Sequence, residues 1–169
     1  MDARRVTLLR HGEAQALDSS PEDFERTLTR RGTIEAQEIA AHMLRRNLVP
    51  DLILVSPAER AWSTAEIVAG GCELDMKQVQ CARELYLATP EATWALLARR
   101  DPALRHILIC GHNPGLSQVA SRFGPAPQRR SLPTAGLVTA IWLHGDWDSL
   151  EPEMAASCEA LDPDSATDL

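Results

Sequence analysis

The sequence predicts an α/β fold in three layers, a largely parallel open sheet with helices on both faces. The expected domain covers residues 1–150, and an acidic, partly irregular tail covers 151–169. Three observations predict this. Short apolar runs suited to buried strands recur at residues 6–9, 52–55 and 106–110. The segments between them carry apolar residues near helical spacing, and strands alternating with helices indicate βαβ units. Finally, 169 residues with 44% hydrophobic and 24% charged side chains suit one domain able to bury its own core.

Val-Thr-Leu-Leu at 6–9 reads as the first buried strand. A helix at 29–46 follows from Thr29 as N-cap and from a stripe of Ile34, Ile39, Met43 and Leu44. Leu-Ile-Leu-Val at 52–55 is the second strand. Pro57 suits a first helical turn, and Trp62, Ala65, Ile67 and Val68 carry that helix to a stop at Gly70-Gly71. A short strand is predicted at 79–85. Trp94, Leu96 and Leu97 mark a helix at 90–100, which Asp101-Pro102 ends before the central strand His-Ile-Leu-Ile-Cys at 106–110. A helix at 113–123 and a strand at 137–143, closed by Gly145-Asp146, complete the set. Residues 19–23, 125–130 and those after about 151 read as loop or tail. Trp62, Trp94 and Trp142 fall on amphipathic elements and are assigned to the core.

The net charge of −7 is unevenly placed. From Ser131 onward there are eight acidic residues and no lysine or arginine, while residues 1–130 hold 17 basic and 16 acidic side chains. The body is therefore close to neutral, and no concentrated basic face for nucleic acid is expected. No apolar run approaches the ~20 residues of a membrane span, and the N-terminus enters a strand at once, so no membrane partner and a cytoplasmic location are expected. Cys72, Cys81, Cys110 and Cys158 are widely spaced without a Cys-x-x-Cys pair, which argues for reduced, mostly buried thiols and no metal.

Polar groups follow the three clearest strands: Arg10-His11-Gly12, then Ser56-Pro57-Ala58-Glu59-Arg60, then Gly111-His112-Asn113-Pro114. In an open parallel sheet these carboxyl ends share one edge, where ligands bind. Two histidines and two arginines would then line one crevice suited to an anion with several oxygens. His42, His106 and His144 are read as ordinary surface or core residues. Arg45, Arg46, Arg99 and Arg100 are read as helix-surface charges. Glu13 fits equally a residue orienting its neighbours and one facing solvent.

The motifs LLRHGEA, SPAERAWSTAE and ILICGHNPGLSQVA resemble the histidine phosphatase superfamily over roughly residues 5–143. The Leu-Thr-x-x-Gly pattern at 28–32, the Gly-His-Asn-Pro form around His112 and Pro133-Thr134-Ala135 are most similar to its small SixA-type phosphohistidine phosphatase branch. That resemblance implies a phosphoglycerate-mutase-like fold without a large lid, and a cofactor-independent phosphatase. His11 would be the nucleophile that forms a phosphohistidine intermediate. Arg10 and Arg60 would grip phosphoryl oxygens through planar forks, with His112 as a further donor, and the four serve without a metal. Larger relatives place a carboxylate after the third strand as general acid, and Glu84 holds a comparable location. Where relatives usually carry Gln before the threonine, this chain has Ser63-Thr64, which bears on secondary contacts rather than on the nucleophile. The implied partner is a phosphohistidine-bearing protein, the expected assembly a monomer or weak dimer. The alternatives are a phosphatase of small phosphomonoesters, of the sugar phosphate type, and a non-catalytic phosphate-binding module. With only 51 residues between Arg60 and His112, the chain leaves little for a lid that would surround a small substrate.

Overall fold

The computed structural model describes residues 3–19, 22–124 and 131–164. Six strands form one sheet: β1 (Arg4–Arg10), β2 (Leu52–Val55), β3 (Val79–Cys81), β4 (His106–Gly111), β5 (Leu137–Trp142) and β6 (Ser157–Leu161). Four α-helices accompany them: α1 (Arg30–Arg45), α2 (Glu59–Gly71), α3 (Pro90–Ala95) and α4 (Gly115–Ala120). The strand order is β3-β2-β4-β1-β5-β6. β3, β2, β4 and β1, four of the six strands, run parallel, so the predicted α/β architecture with a largely parallel sheet holds. The sheet is nevertheless mixed, because β5 pairs antiparallel with β1 and β6 antiparallel with β5.

Alternation along the strands divides the core in two, because successive side chains of a strand point to opposite faces. On one face Val6, Leu8, Leu54, Ile107, Ile109 and Val138 pack with Leu116, Val119 and Phe123 near α4. On the other, Leu9, Ile53, Val55 and Leu108 pack with Ile39 and Met43 of α1 and Ala65 and Val68 of α2. Thr29 caps α1 as predicted, its hydroxyl accepting from Gly32 N. The apolar stripe is narrower than the sequence predicts: Ile39 and Met43 are fully buried, whereas Ile34 and Leu44 are 43% and 45% exposed. Trp142 is core with Trp94 half-buried beside it, and Trp62 is half-buried against the cluster on the other face. Of the thiols, Cys72 and Cys110 are buried and Cys81 is exposed.

Several elements differ from the predicted ones. The strand expected at 79–85 ends at Cys81 and gives way to a 3-10 turn, Arg83–Leu85. α2 starts at Glu59, so Pro57 precedes the helix, and α3 and α4 are each six residues long, shorter than periodicity implies. The tail contributes structure: Ser157–Leu161 adds β6 at the sheet edge, and Arg46 at the end of α1 pairs with Glu159 there. The predicted loop at 125–130 lies outside the described residues.

A polar row crosses the sheet. His106 Nδ1 donates to Val49 O at 3.2 Å, its Nε2 meets the Thr7 hydroxyl at 2.8 Å, and Thr7 meets the Thr139 hydroxyl at 2.8 Å. Burial, followed by the charge of Arg5, brings His106 down from the usual 6.5 to about 4. The unfolded chain therefore takes up this proton first as pH falls. Stability that is intact above about 6.5 is lost as pH drops toward 4, about 2 kcal/mol by pH 5 from His106 alone. Urea midpoints should fall between pH 7 and pH 5, and an unchanged midpoint would contradict a neutral buried His106.

Candidate active site

The three motif segments meet at the carboxyl ends of the parallel strands. Arg10 closes β1 and His11 follows it; Ser56 follows β2, with Arg60 in the first turn of α2; His112 follows β4. Adjacent register brings them together, since Arg10 lies opposite Gly111 across the β1–β4 pair. His11, Arg60 and His112 are buried, and the His11 and His112 ring centroids lie 5.2 Å apart.

The backbone around His11 is tightly fixed. A Cβ on Gly12 would come within 2.5 Å of Gly32 O, and one on Gly32 within 2.0 Å of Glu13 O, so only glycines allow the start of α1 to approach this loop. Thr64 accepts from Gly12 N at 3.0 Å and donates to Arg60 O at 2.7 Å, linking the two motifs. From behind, Ala135 N donates to His11 O and Arg10 N donates to Gly136 O. The 133–135 motif thus serves as a backing turn. Glu13 accepts from the Thr29 hydroxyl, and its backbone N donates to the buried Glu35 carboxylate. It therefore helps hold the loop to α1.

His11 Nδ1 donates to Gly12 O at 2.7 Å, which fixes the tautomer and leaves a lone pair on Nε2. Arg60 Nε donates to that nitrogen at 3.3 Å. Burial lowers His11 to about 4; Gly12 O opposes this, and the charges of Arg60, Arg10 and Arg26 add to it. Burial and the charges of His11 and Arg60 bring His112 to about 3. Both imidazoles are therefore neutral near pH 7. His112 Nε2 shares a 2.7 Å hydrogen bond with Ser56 Oγ, and its buried Nδ1 has no partner among the described residues. Arg10 donates from Nη1 to Leu132 O, which also accepts from Asn113 Nδ2, and its buried Nε is without a partner among the described residues.

Asp23, within the loop predicted at 19–23, is a site residue. Its backbone oxygen accepts from Arg60 Nη1 at 2.5 Å and its carboxylate from Arg60 Nη2 at 3.0 Å, Tyr86 Oη at 2.9 Å and Arg26 Nη1 at 2.9 Å. Partial burial pushes the Asp23 carboxyl up, but the bonds from Arg26, Tyr86 and Arg60 outweigh it and leave Asp23 at about 2. The sequence signal available was Asp23-x-x-Arg26 in the loop after the first motif, a carboxylate three residues from an arginine. Arg60 consequently directs its two terminal nitrogens to Asp23 and its Nε edge to His11.

Arg10, His11, Arg60 and His112 are brought together; Glu84 forms no hydrogen bond or ion pair with any of them. Glu84 is exposed in the Arg83–Leu85 turn, with no hydrogen bond or ion pair among the described residues. Tyr86, two residues on, is the side chain that points into the site. Its ring stands edge-on to His112, with centroids 5.7 Å apart. No group of three or more His, Cys, Asp or Glu able to hold a metal occurs among the described residues. Nor is any helix among them long and apolar enough to cross a membrane.

Residues 6–108 match the family model of the histidine phosphatase superfamily (branch 1). An uncharacterized chloroplastic protein of Arabidopsis thaliana is 27% identical over 147 residues, covering 82% of this chain and 67% of that protein. Among solved structures, a SixA protein from Agrobacterium tumefaciens is 30% identical, with 81% of this chain and 90% of that chain covered and a TM-score of 0.71. The protein histidine phosphatase SixA complexed with tungstate is 23% identical, with coverages of 94% and 97% and a TM-score of 0.78.

Proposed function

The chain belongs to the histidine phosphatase superfamily (branch 1), and from that premise we propose that it hydrolyses phosphohistidine on a protein, without a cofactor, through a covalent intermediate on His11. The observation that carries this reading is the His11 imidazole, held neutral with its Nε2 lone pair free of a proton and faced by the Arg60 guanidinium. An unprotonated nitrogen beside fixed positive charge is a nucleophile placed for an anionic phosphoryl group. It is also the feature a mere phosphate-binding module does not need.

In the first step His11 Nε2 attacks phosphorus while the substrate P–N bond breaks. The bond's electron pair leaves with the imidazole nitrogen, which takes a proton from water. Water then attacks phosphorus on His11, inorganic phosphate departs, and the lone pair returns to Nε2. Arg60 Nε, Arg10 and the unpartnered Nδ1 of His112 donate to the phosphoryl oxygens during both transfers.

The preference for a P–N bond over an ester rests on the acids. An alkoxide leaving group needs a strong proton donor, whereas imidazole is easily protonated by solvent. Two carboxyl groups are not set up as that donor: Glu84 is exposed and without a hydrogen bond to the site's residues, and Asp23, at about 2, is ionised. Among the described residues no large lid encloses the crevice, which suits a phosphohistidine projecting from another protein rather than a small ester. The test is an assay of the purified protein against a phosphohistidine-bearing protein, phosphoglycerate and a sugar phosphate. We expect kcat/KM for the first to exceed the others by at least roughly 10²-fold, about 2.7 kcal/mol. Glu84→Gln should change phosphohistidine hydrolysis less than about twofold, in keeping with its exposure. Preference for an ester, lost with Glu84→Gln, would assign the enzyme to small phosphomonoesters instead.

A further inference from the structure

Beside the phosphoryl site lies a cavity of about 330 Å³ lined by Phe24, Pro57, Arg83 and Tyr86. It adjoins the catalytic constellation at three points. Tyr86 meets His112 edge-on and donates to the Asp23 carboxylate that holds Arg60. Pro57 follows Ser56, the hydrogen-bond partner of His112. Phe24 follows Asp23. Phe24 and Tyr86 meet at a centroid distance of 5.2 Å and 70°, an edge arrangement that leaves ring surface facing the space beside them. Phe24 is 39% exposed and belongs to neither apolar core cluster, so packing of the core does not account for it.

We propose that this cavity is the leaving-group subsite, where Phe24 and Tyr86 receive the imidazole ring of the substrate phosphohistidine while its phosphoryl group lies against His11, Arg60 and His112. The inference rests on the phosphohistidine reading and deepens it. A flat, weakly polar ring fits an aromatic corner through edge and offset contacts. Pro57 adds an apolar surface, and the one charged lining residue, Arg83, carries a planar guanidinium of the kind that stacks on rings and donates to a ring nitrogen. The hydroxyl-rich backbone of a sugar phosphate would gain little from the Phe24 and Pro57 surfaces, so these walls favour a flat ring over it. The corner is also assembled by the reaction's own machinery, because Asp23 orients Arg60 and precedes Phe24 in one 3-10 turn, Asp23–Glu25.

Two small substrates with the same P–N chemistry separate ring recognition from phosphoryl transfer: phosphoimidazole, which carries the ring, and phosphoramidate, which does not. The quantity read is the ratio of their kcat/KM values. Phe24→Ala should lower that ratio roughly tenfold, about 1.4 kcal/mol of transition-state binding. Tyr86→Leu should lower it similarly. Tyr86→Phe, which keeps the ring and loses only the bond to Asp23, should leave the ratio at its wild-type value while slowing both substrates alike. If Phe24→Ala and Tyr86→Leu leave the ratio unchanged, the subsite is refuted while the phosphohistidine reading stands. Wild-type protein that hydrolyses phosphate esters but neither P–N compound overturns that reading and this subsite with it.

Discussion

Replacing His11 with alanine should reduce kcat by at least roughly 10³-fold, because among the described residues His11 is the one whose ring nitrogen accepts from the Arg60 guanidinium. Folding should survive. The ring lies in neither apolar cluster, and its removal leaves the Gly12 oxygen and Arg60 Nε without partners, a modest cost beside the loss of the nucleophile. Quenching at neutral to alkaline pH during turnover should trap phosphate on His11 alone. The acid limb offers an independent check. With His11 held at about 4, the lone pair persists well below the usual imidazole range, and kcat/KM should decline only as pH approaches 4. A limb at 6.5 would contradict the depressed His11, and a His11→Ala variant retaining more than a few per cent of wild-type kcat would remove His11 from the reaction.

Arg60→Lys is expected to cost on the order of 10²-fold or more in kcat/KM despite preserving the charge. Three nitrogens of one rigid plane are committed at once: Nε to His11, Nη1 to the Asp23 oxygen and Nη2 to its carboxylate. A lysine ammonium on a flexible stem can replace one of these bonds without reproducing the plane. The variant also leaves the Asp23 carboxylate short of a partner, so its carboxyl group should titrate at higher pH than in the wild type, detectable by carboxyl NMR. Near-normal kcat/KM would show that Arg60 does not touch the transferring group.

The parts of this protein legible in its sequence are those where one local pattern decides the outcome. Leu-Ile-Leu-Val at 52–55 and His-Ile-Leu-Ile-Cys at 106–110 are buried on both faces, and a short run bounded by polar motifs has few alternatives to a central strand. Because Arg10, His11 and His112 sit at or directly after such strands, and Arg60 one helical turn beyond another, placing the strands placed these residues. What the sequence conceals depends on contacts distant along the chain. Asp23 gains its role only by meeting Arg60, 37 residues later, and Tyr86, 63 residues later. Glu84 is the residue that the sequence offers here. The Arg83–Leu85 turn leaves its carboxylate exposed and carries the Tyr86 phenol to His112 and Asp23 instead. The direction of β5 is likewise invisible to hydrophobic periodicity, which is the same for parallel and antiparallel strands. β6, exposed over most of its length, resembles the acidic tail around it until β5 provides a partner.

The position of β1 in the sheet also governs when the enzyme can come into being. Its two neighbours are β4 and β5, so this strand has no partner until residue 106 and its successors have been made. At about 5–20 residues per second, the ~100 residues separating Arg5 from His106 represent roughly 5–20 s of synthesis. Throughout that interval an apolar Val-Thr-Leu-Leu segment, with Arg10 and His11 behind it, waits unpaired while β2, α2 and β3 are already available to one another. Docking of β1 between β4 and β5 closes the longest loop in the parallel half of the sheet, a contact of high sequence separation and therefore slow to form. The same event completes the pairing of β1 and brings His11 beside His112, so catalytic competence arrives with the end of folding rather than during it.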